Sequence, residues 1–190
     1  MSTAFVLGNG LSRKALDLDV LTRYGNIYGC NALYRDFAPT VLVATDTPIS
    51  EAIQLSNYAL KHRFYTRKPL PSLGAQMIPE EIWGYSSGPV AVALAAQHGH
   101  LLIYLVGFDM GPALAGKFNN VYADTEFYKK STAVPTYTGN WVNQIKEITK
   151  KFSNINFVRV VGDTTASIKA LESISNLSHM PIQEFQKSYK

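Results

Sequence analysis

The sequence holds little of what would settle a function at once. It has one cysteine, Cys30, in 190 residues, so no internal disulfide can form. The apolar, strand-like setting Ile27-Tyr28-Gly29-Cys30 predicts a buried, inert thiol rather than a nucleophile. No apolar run approaches the ~20 residues that span a bilayer. Ala4-Phe5-Val6-Leu7 before Gly8 is too short for the apolar region of a secretory signal, so a cytoplasmic protein is expected. The four histidines do not stand at zinc-ligand spacing with cysteine, and there is no P-loop; no metal and no cofactor are expected. Charged residues make up only 17% of the chain, with a net charge of +4. The basic pairs Arg13-Lys14, Arg67-Lys68, Lys129-Lys130 and Lys150-Lys151 are scattered, whereas a nucleic-acid binder concentrates such charge on one face. Nucleic acid is thus not an expected partner, while the mild positive excess suits a small anionic ligand.

What the chain does have is a core. A hydrophobic fraction of 46% over 190 residues predicts one folded domain spanning 1–190. Short β-type runs alternate with longer helical segments, the pattern of a Rossmann-like α/β fold with a mostly parallel twisted sheet and helices on both faces. Strands are expected at Ala4–Leu7, Asn26–Cys30, Val41–Ala44, Arg63–Thr66, Leu101–Val106 and Asn156–Val160. The continuous apolar run at Leu101–Val106 predicts an interior strand. Helices are expected from Ser12 or Asp17 to Gly25, over Ile49 to about Leu60, over Pro89–Gln97, through Trp141, Ile145, Ile148 and Phe152, and after Pro181. Residues 78–85 carry no assignment. Residues 108–138, rich in Gly, Asn, Tyr, Lys and Pro and without period, form a candidate lid, since irregular segments of this length are usually functional or disordered. His98 and His100, flanking Gly99 at the opposite end of the sheet, and His62 before a strand read as surface residues.

Three features fall at carboxyl ends of the expected strands, where open α/β sheets bind ligands. Gly8-Asn9-Gly10 leads into Leu11-Ser12; glycines let backbone N–H groups approach an anion, and a helix N-terminus favours negative charge. Position 13 is Arg, so the full G-x-G-x-x-G is absent, and a tight turn without a ligand explains the same glycines. Ser86-Ser87-Gly88-Pro89 opens an alanine-rich helix and suits either a phosphate cradle or a plain serine cap followed by proline. Asn31, Asp46 and Asp109 each follow a strand. Any one of them can cap a loop, but three at equivalent ends favour a shared site.

These pieces in this order resemble a known family. Phe5-Val6-Leu7-Gly8-Asn9-Gly10-Leu11-Ser12, Gly29-Cys30-Asn31, Ser86-Ser87-Gly88 and Ile103-Tyr104-Leu105-Val106-Gly107-Phe108-Asp109 are similar to bacterial sialyltransferases of glycosyltransferase family 42. Those enzymes transfer sialic acid from CMP-sialic acid. More loosely, the pieces resemble the wider GNGPSL-type nucleotide-binding superfamily. The resemblance implies that Asn9, Gly10 and Asn31 contact a nucleotide, with Ser86, Ser87 and Gly88 near the phosphate and sugar. It implies that 108–138 closes over the donor, with Tyr122 and Tyr137 as candidate hydroxyls of a metal-independent reaction. Two departures stand out: Leu11 occupies the usual proline position, and no histidine lies between His100 and His179, where the family's lid carries one. His179 and the lid carboxylate Asp124 are therefore the candidate bases.

The expected ligand is a nucleotide or nucleotide sugar, held by Gly8, Asn9, Gly10, Asn31, Asp46, Ser86, Ser87, Gly88 and Asp109. The expected activity is transfer of a glycosyl group from that donor. Two alternatives stand beside it: a non-catalytic accessory or virion-associated protein retaining the fold, and a pyrophosphokinase-like phosphotransferase with magnesium between Asp46 and Asp109. Oligomeric state stays open.

Overall fold

The structure, a computed structural model, describes residues 2–190. Its centre is an eight-stranded sheet of order β5-β4-β3-β2-β1-β6-β7-β8. Every pairing is parallel, which sharpens the expected mostly parallel sheet. The strands are β1 Thr3–Leu7, β2 Asn26–Cys30, β3 Val41–Ala44, β4 Phe64–Thr66, β5 Gln76–Met77, β6 Leu102–Val106, β7 Asn156–Val161 and β8 Leu177–Pro181. The α-helices are α1 Leu18–Leu21, α2 Thr47–Leu55, α3 Ser87–Gln97, α4 Gly139–Lys151, α5 Lys169–Glu172 and α6 Ile182–Ser188.

Alternation along β1 shows why both faces are covered. Ala4 and Val6 join a core cluster with α3 and α4, while Phe5 and Leu7 join a second cluster with α1, α2 and α6. All four are buried, as in a sheet with helices on both sides. Helix α3 buries every residue from Pro89 to Ala96; its alanines let it lie close against β1, β2 and β3. Starting from β1 the chain steps outward through β2 to β5, then α3 carries it back to β6 on the other side of β1. The strand order reverses between β1 and β6, a topological switch point whose carboxyl crevice is the ligand position in open parallel sheets.

Several expectations need correction. The first helix reduces to a 3-10 turn at Leu11–Arg13 and the short α1, capped by Asp17. The helix expected to reach Leu60 stops at Leu55; Asn57 is left-handed, and a 3-10 turn at Tyr58–Leu60 follows. Within the unassigned stretch lies a 3-10 turn at Glu80–Ile82, preceded by β5, while β8 and α5 had no sequence expectation. His98 and His62 are exposed, but His100 is buried. Gly99, at φ 86°, turns the chain so that the His100 ring packs under the amino edge of the sheet. There Tyr28 Oη lies 2.9 Å from His98 Nδ1 and 3.1 Å from His100 Nε2, and Ser2 Oγ lies 2.7 Å from His100 Nδ1.

Burial lowers the pKa of His100, and burial with the nearby Arg63 and His100 lowers that of His98. A histidine whose folded pKa lies below its unfolded value takes up its proton more readily in the unfolded chain. Its stabilising contribution is complete above about pH 6.5 and is lost as pH falls through the folded pKa. Melting temperature is therefore expected to fall as pH drops from 7 towards 5. Calorimetric scans should show a shallower fall in His100→Asn; equal slopes would contradict the assignment.

Candidate active site

A cavity of about 300 Å³ opens at the switch point. Its walls come from the turns after β1, β2, β3, β4 and β6, the N-terminus of α3, and the 108–138 segment. Gly8, Asn9, Gly10, Asn31, Asp46, Ser86, Ser87, Gly88 and Asp109 all line it.

The roles of these side chains differ from one another. Asp109 is buried and works as a tie. Its carboxylate accepts from the Ser12 N–H at 3.0 Å, the Ser12 hydroxyl, Asn119 Nδ2 at 3.1 Å, Thr164 Oγ1 at 2.6 Å and Thr165 Oγ1 at 3.3 Å. Behind it the buried Arg159 donates to the carbonyls of Phe108, Asp109 and Ala166 at 3.0, 2.9 and 2.9 Å. Burial lowers the Arg159 pKa to about 10 against the opposing pull of Asp109 and Glu172. Ser87 is a second tie: Thr45 N–H donates to its Oγ at 3.0 Å, its Oγ donates to Asn31 Oδ1 at 3.0 Å, and Thr45 Oγ1 stands at 2.9 Å. It joins the ends of β2 and β3 to α3. Asn31 adopts φ 53°, a left-handed conformation that Asn tolerates better than most side chains.

The Gly-Asn-Gly turn is braced from below. Arg13, the residue that breaks the G-x-G-x-x-G pattern, is buried and donates from Nε to the Gly8 carbonyl at 2.6 Å and from Nη2 to Asn9 Oδ1 at 3.1 Å. A Cβ on Gly8 would stand 2.5 Å from the Gly107 carbonyl oxygen, and one on Gly10 would stand 2.4 Å from the Asp109 Cγ. These two glycines are demanded by packing of the β1 and β6 turns. Gly88 is different. A Cβ there would meet only the Phe108 ring, at 3.4 Å, so the fold leaves room for a side chain that the cavity would then lose. It lies in the first turn of α3, where backbone N–H groups lack intrahelical acceptors.

Residues 108–138 contain a 3-10 turn at Leu114–Gly116 and are otherwise irregular, yet they are bolted down. Asn119 Oδ1 accepts from Leu11 N–H at 2.8 Å, Val121 N–H donates to the Asn9 carbonyl at 2.8 Å, and Ala32 N–H donates to Tyr128 Oη at 3.3 Å. Phe118, Asn119, Asn120, Thr136 and Thr138 face the cavity, with Trp141 of α4.

Four lid or base candidates fall outside the lining. Tyr122 is buried in the α2-side core cluster with its ring near Arg13, and burial raises its pKa to about 12. Tyr137 is 78% exposed, and its hydroxyl lies over Gly139. Asp124 accepts from Ser131 N–H at 3.0 Å, pinning its own loop; hydrogen bonds from Ser131 hold its pKa below the ordinary value. His179 sits on edge strand β8, opposite Arg159 in register, with β6 and β7 between it and β1. Its pKa is lowered by burial and by Arg159, and its Nε2 is buried without a hydrogen-bond partner.

Sequence reasoning missed Thr45 and Arg67, both in the lining. Each immediately follows a strand, so the strand-end rule that selected Asp46 would have found them. Arg67 is the one cation among the lining residues, and it donates to the carbonyls of Trp83 and Tyr85, each at 2.8 Å. Cys30 also lines the cavity, but its thiol lies 3.6 Å from the Leu7 carbonyl and burial raises its pKa to about 12. That fits the inert thiol expected. Asp46 is exposed at the start of α2 and makes no side-chain capping bond.

Fold and cavity together define the class, a Rossmann-like α/β protein with a crevice at the switch point of an all-parallel sheet. Among solved structures the chain is similar to the sialyltransferase CstII from Campylobacter jejuni, solved in complex with a substrate analogue, cytidine-5'-monophosphate. The TM-score is 0.50 at 16% identity, over 84% of this chain and 79% of that one. At that identity the likeness shows the fold. No family model matches the sequence, and no curated protein matches it.

Gly10→Ala is expected to cost about 1–3 kcal/mol through overpacking, and Asp109→Asn several kcal/mol by setting an NH₂ against donors. Gly88→Ala should be neutral or slightly stabilising, since alanine favours helix. Urea melts of the three variants check this ordering.

Proposed function

We propose that the cavity binds a nucleotide or nucleotide sugar, and that the protein transfers the glycosyl group without a metal, in the manner of a sialyltransferase. One observation carries this reading: nine residues selected from sequence for nucleotide contact surround a single crevice at the switch point of the sheet. The fold it shares with CstII, solved with cytidine-5'-monophosphate, supports the same reading. The volume of about 300 Å³ reaches the range of small-molecule sites.

In this reading the donor phosphate lies at the first turn of α3, where backbone N–H groups and the helix dipole favour an anion. Arg67, held by the Trp83 and Tyr85 carbonyls in the segment leading into α3, balances the charge, and Phe118 and Trp141 offer apolar surface. The acceptor hydroxyl oxygen bonds to the anomeric carbon while the glycosyl–phosphate bond breaks. The nucleotide monophosphate leaves with the bonding electrons, and the hydroxyl proton passes to Asp46. Asp46 takes this role because Asp109 already accepts from five donors. The same engagement weighs against a magnesium shared by Asp46 and Asp109, and so against phosphotransfer.

A specific observation favours a second, non-catalytic reading: no histidine or tyrosine is among the residues lining the cavity. A retained nucleotide-binding fold would then have an accessory or virion-associated role.

A thermal-shift panel of nucleotides and nucleotide sugars, with and without magnesium, separates these readings. CMP or CMP-sialic acid at 100 times its dissociation constant should add about 2.7 kcal/mol, raising Tm by roughly 5–10 °C with no need of magnesium. Gly88→Val should abolish that shift while the unliganded Tm stays near wild type. With CMP-sialic acid and an acceptor, Asp46→Asn should lower kcat by about 100-fold or more. CMP binding without turnover in the wild type would decide for the non-catalytic reading, and no shift with any nucleotide would overturn the transferase reading and leave the fold in a structural or accessory role.

A further inference from the structure

Arg13 is a buried cation whose hydrogen bonds all go to uncharged groups. Its guanidinium donates to the Gly8 carbonyl at 2.6 Å, to Asn9 Oδ1 at 3.1 Å and to Tyr122 Oη at 3.5 Å, and the side chain is only 6% exposed. Asp36 bears on the Tyr122 hydroxyl; among the described residues no carboxylate hydrogen-bonds to the guanidinium itself. A charge taken out of water is costly unless a countercharge meets it. The turn that Arg13 holds is a wall of the crevice, which is where a countercharge has room to sit.

We infer that Arg13 is a specificity-determining residue of that crevice. From behind the Gly-Asn-Gly turn it orients the Asn9 amide and supplies positive charge, so that the ligand atoms seated on the turn are phosphate oxygens. The inference rests on the reading of the crevice as the ligand site.

The orientation follows from donor and acceptor chemistry. A guanidinium has donors only, so it fixes which end of the Asn9 side chain faces it. Oδ1 is the end held, and the Asn9 carbonyl is taken by the Val121 N–H. The NH₂ group has no acceptor among the described residues, and it is the free end of a side chain that lines the crevice. A free donor there calls for an acceptor on the ligand.

Charge selects among acceptors. A buried charge is screened little by salt, and the positive charge of Arg13 opposes the upward shift of the thiol of Cys30, another lining residue. An anionic oxygen is therefore preferred to a neutral carbonyl or hydroxyl. The place for it is shared with α3. A Cβ on Gly8 would stand 3.1 Å from Phe108 Cδ2, and one on Gly88 would stand 3.4 Å from Phe108 Cε1, so the two turns flank a single ring. Asn9 on one side and the first N–H groups of α3 on the other can meet one phosphate. Bracing alone would not call for a cation: the motif letters G-N-G-P-S-L end on leucine where this chain has Arg13.

The test measures CMP, cytidine and inorganic phosphate by calorimetry and NMR against the wild type, Arg13→Leu, Arg13→Lys and Asn9→Asp. Arg13→Leu should weaken CMP about tenfold or more while leaving cytidine within about threefold, and Arg13→Lys should recover part of the loss. Asn9→Asp keeps Arg13 and gives it a countercharge, so it should melt at or above the wild-type temperature and lose CMP affinity as Arg13→Leu does. That arm answers even where Arg13→Leu fails to fold. Phosphate that binds the wild type, shifts the Asn9 NH₂ signals and is lost in Asn9→Asp supports the inference even if no nucleotide binds. The inference is overturned if either Arg13→Leu or Asn9→Asp binds CMP as tightly as the parent, or if cytidine weakens as much as CMP, the sign of bracing alone. It is overturned too if neither CMP nor phosphate binds the wild type.

Discussion

Asp109 has a carboxylate whose two oxygens are met by donors from three separate parts of the chain. Ser12 arrives from the turn after β1, Asn119 from the irregular 108–138 segment, and Thr164 and Thr165 from the loop after β7. A buried carboxylate without such donors would be costly to desolvate; with them it draws three loops to the end of β6. Arg159 does the same one layer below, gathering the carbonyls of Phe108, Asp109 and Ala166 that no strand ladder satisfies. The crevice keeps its shape because these two groups are satisfied only when the loops around it are in place.

The other polar residues at the strand ends follow the same logic. Ser87 holds β2, β3 and α3 to one another, and Arg13 holds the backbone of the Gly-Asn-Gly turn. What the strand ends leave free towards the cavity is therefore the first turn of α3, the small surface of Gly88, the Arg67 side chain and the exposed Asp46, beside Phe118, Asn119, Asn120, Thr136, Thr138 and Trp141. Such a surface suits recognition of a phosphate by N–H groups more than a dense array of catalytic side chains. In the proposed reaction, positioning between fixed walls and stabilisation of the leaving phosphate supply most of the catalysis.

The irregular segment shows how a stretch without periodicity becomes ordered. Its backbone closes on itself in short turns and in pairings such as Phe118 N–H to the Ala133 carbonyl and Asp124 N–H to the Lys129 carbonyl, and it also takes partners from the strand ends it crosses, the Asn9 carbonyl and the Leu11 and Ala32 N–H groups among them. Apolar anchors at Phe118, Tyr122 and Tyr128 fill the space beneath. The tyrosines placed in it from sequence as candidate hydroxyls lie outside the cavity lining. Tyr122 is an anchor, and Tyr137 lies outside on Gly139.

Local pattern sufficed for much of the architecture. Continuous apolar runs at β1, β2, β3 and β6 read as strands because both faces of each are buried, and α3 and α4 read as helices from small-residue content and period. The strand-end rule then located Asn9, Asn31, Asp46, Ser87 and Asp109 around one crevice, since the direction of a parallel strand is enough to say where its last residue points. Edge strands escaped: β5 is two exposed residues, and β8 carries Ser178, His179 and Pro181, so neither has the apolar signature that burial imposes. Tertiary structure alone decided which polar residue ties and which remains open. Asp109 and Asp46 look equivalent in the sequence, but the donors that close around Asp109 lie as far as 97 positions away, and no local pattern encodes a hydrogen bond at that separation.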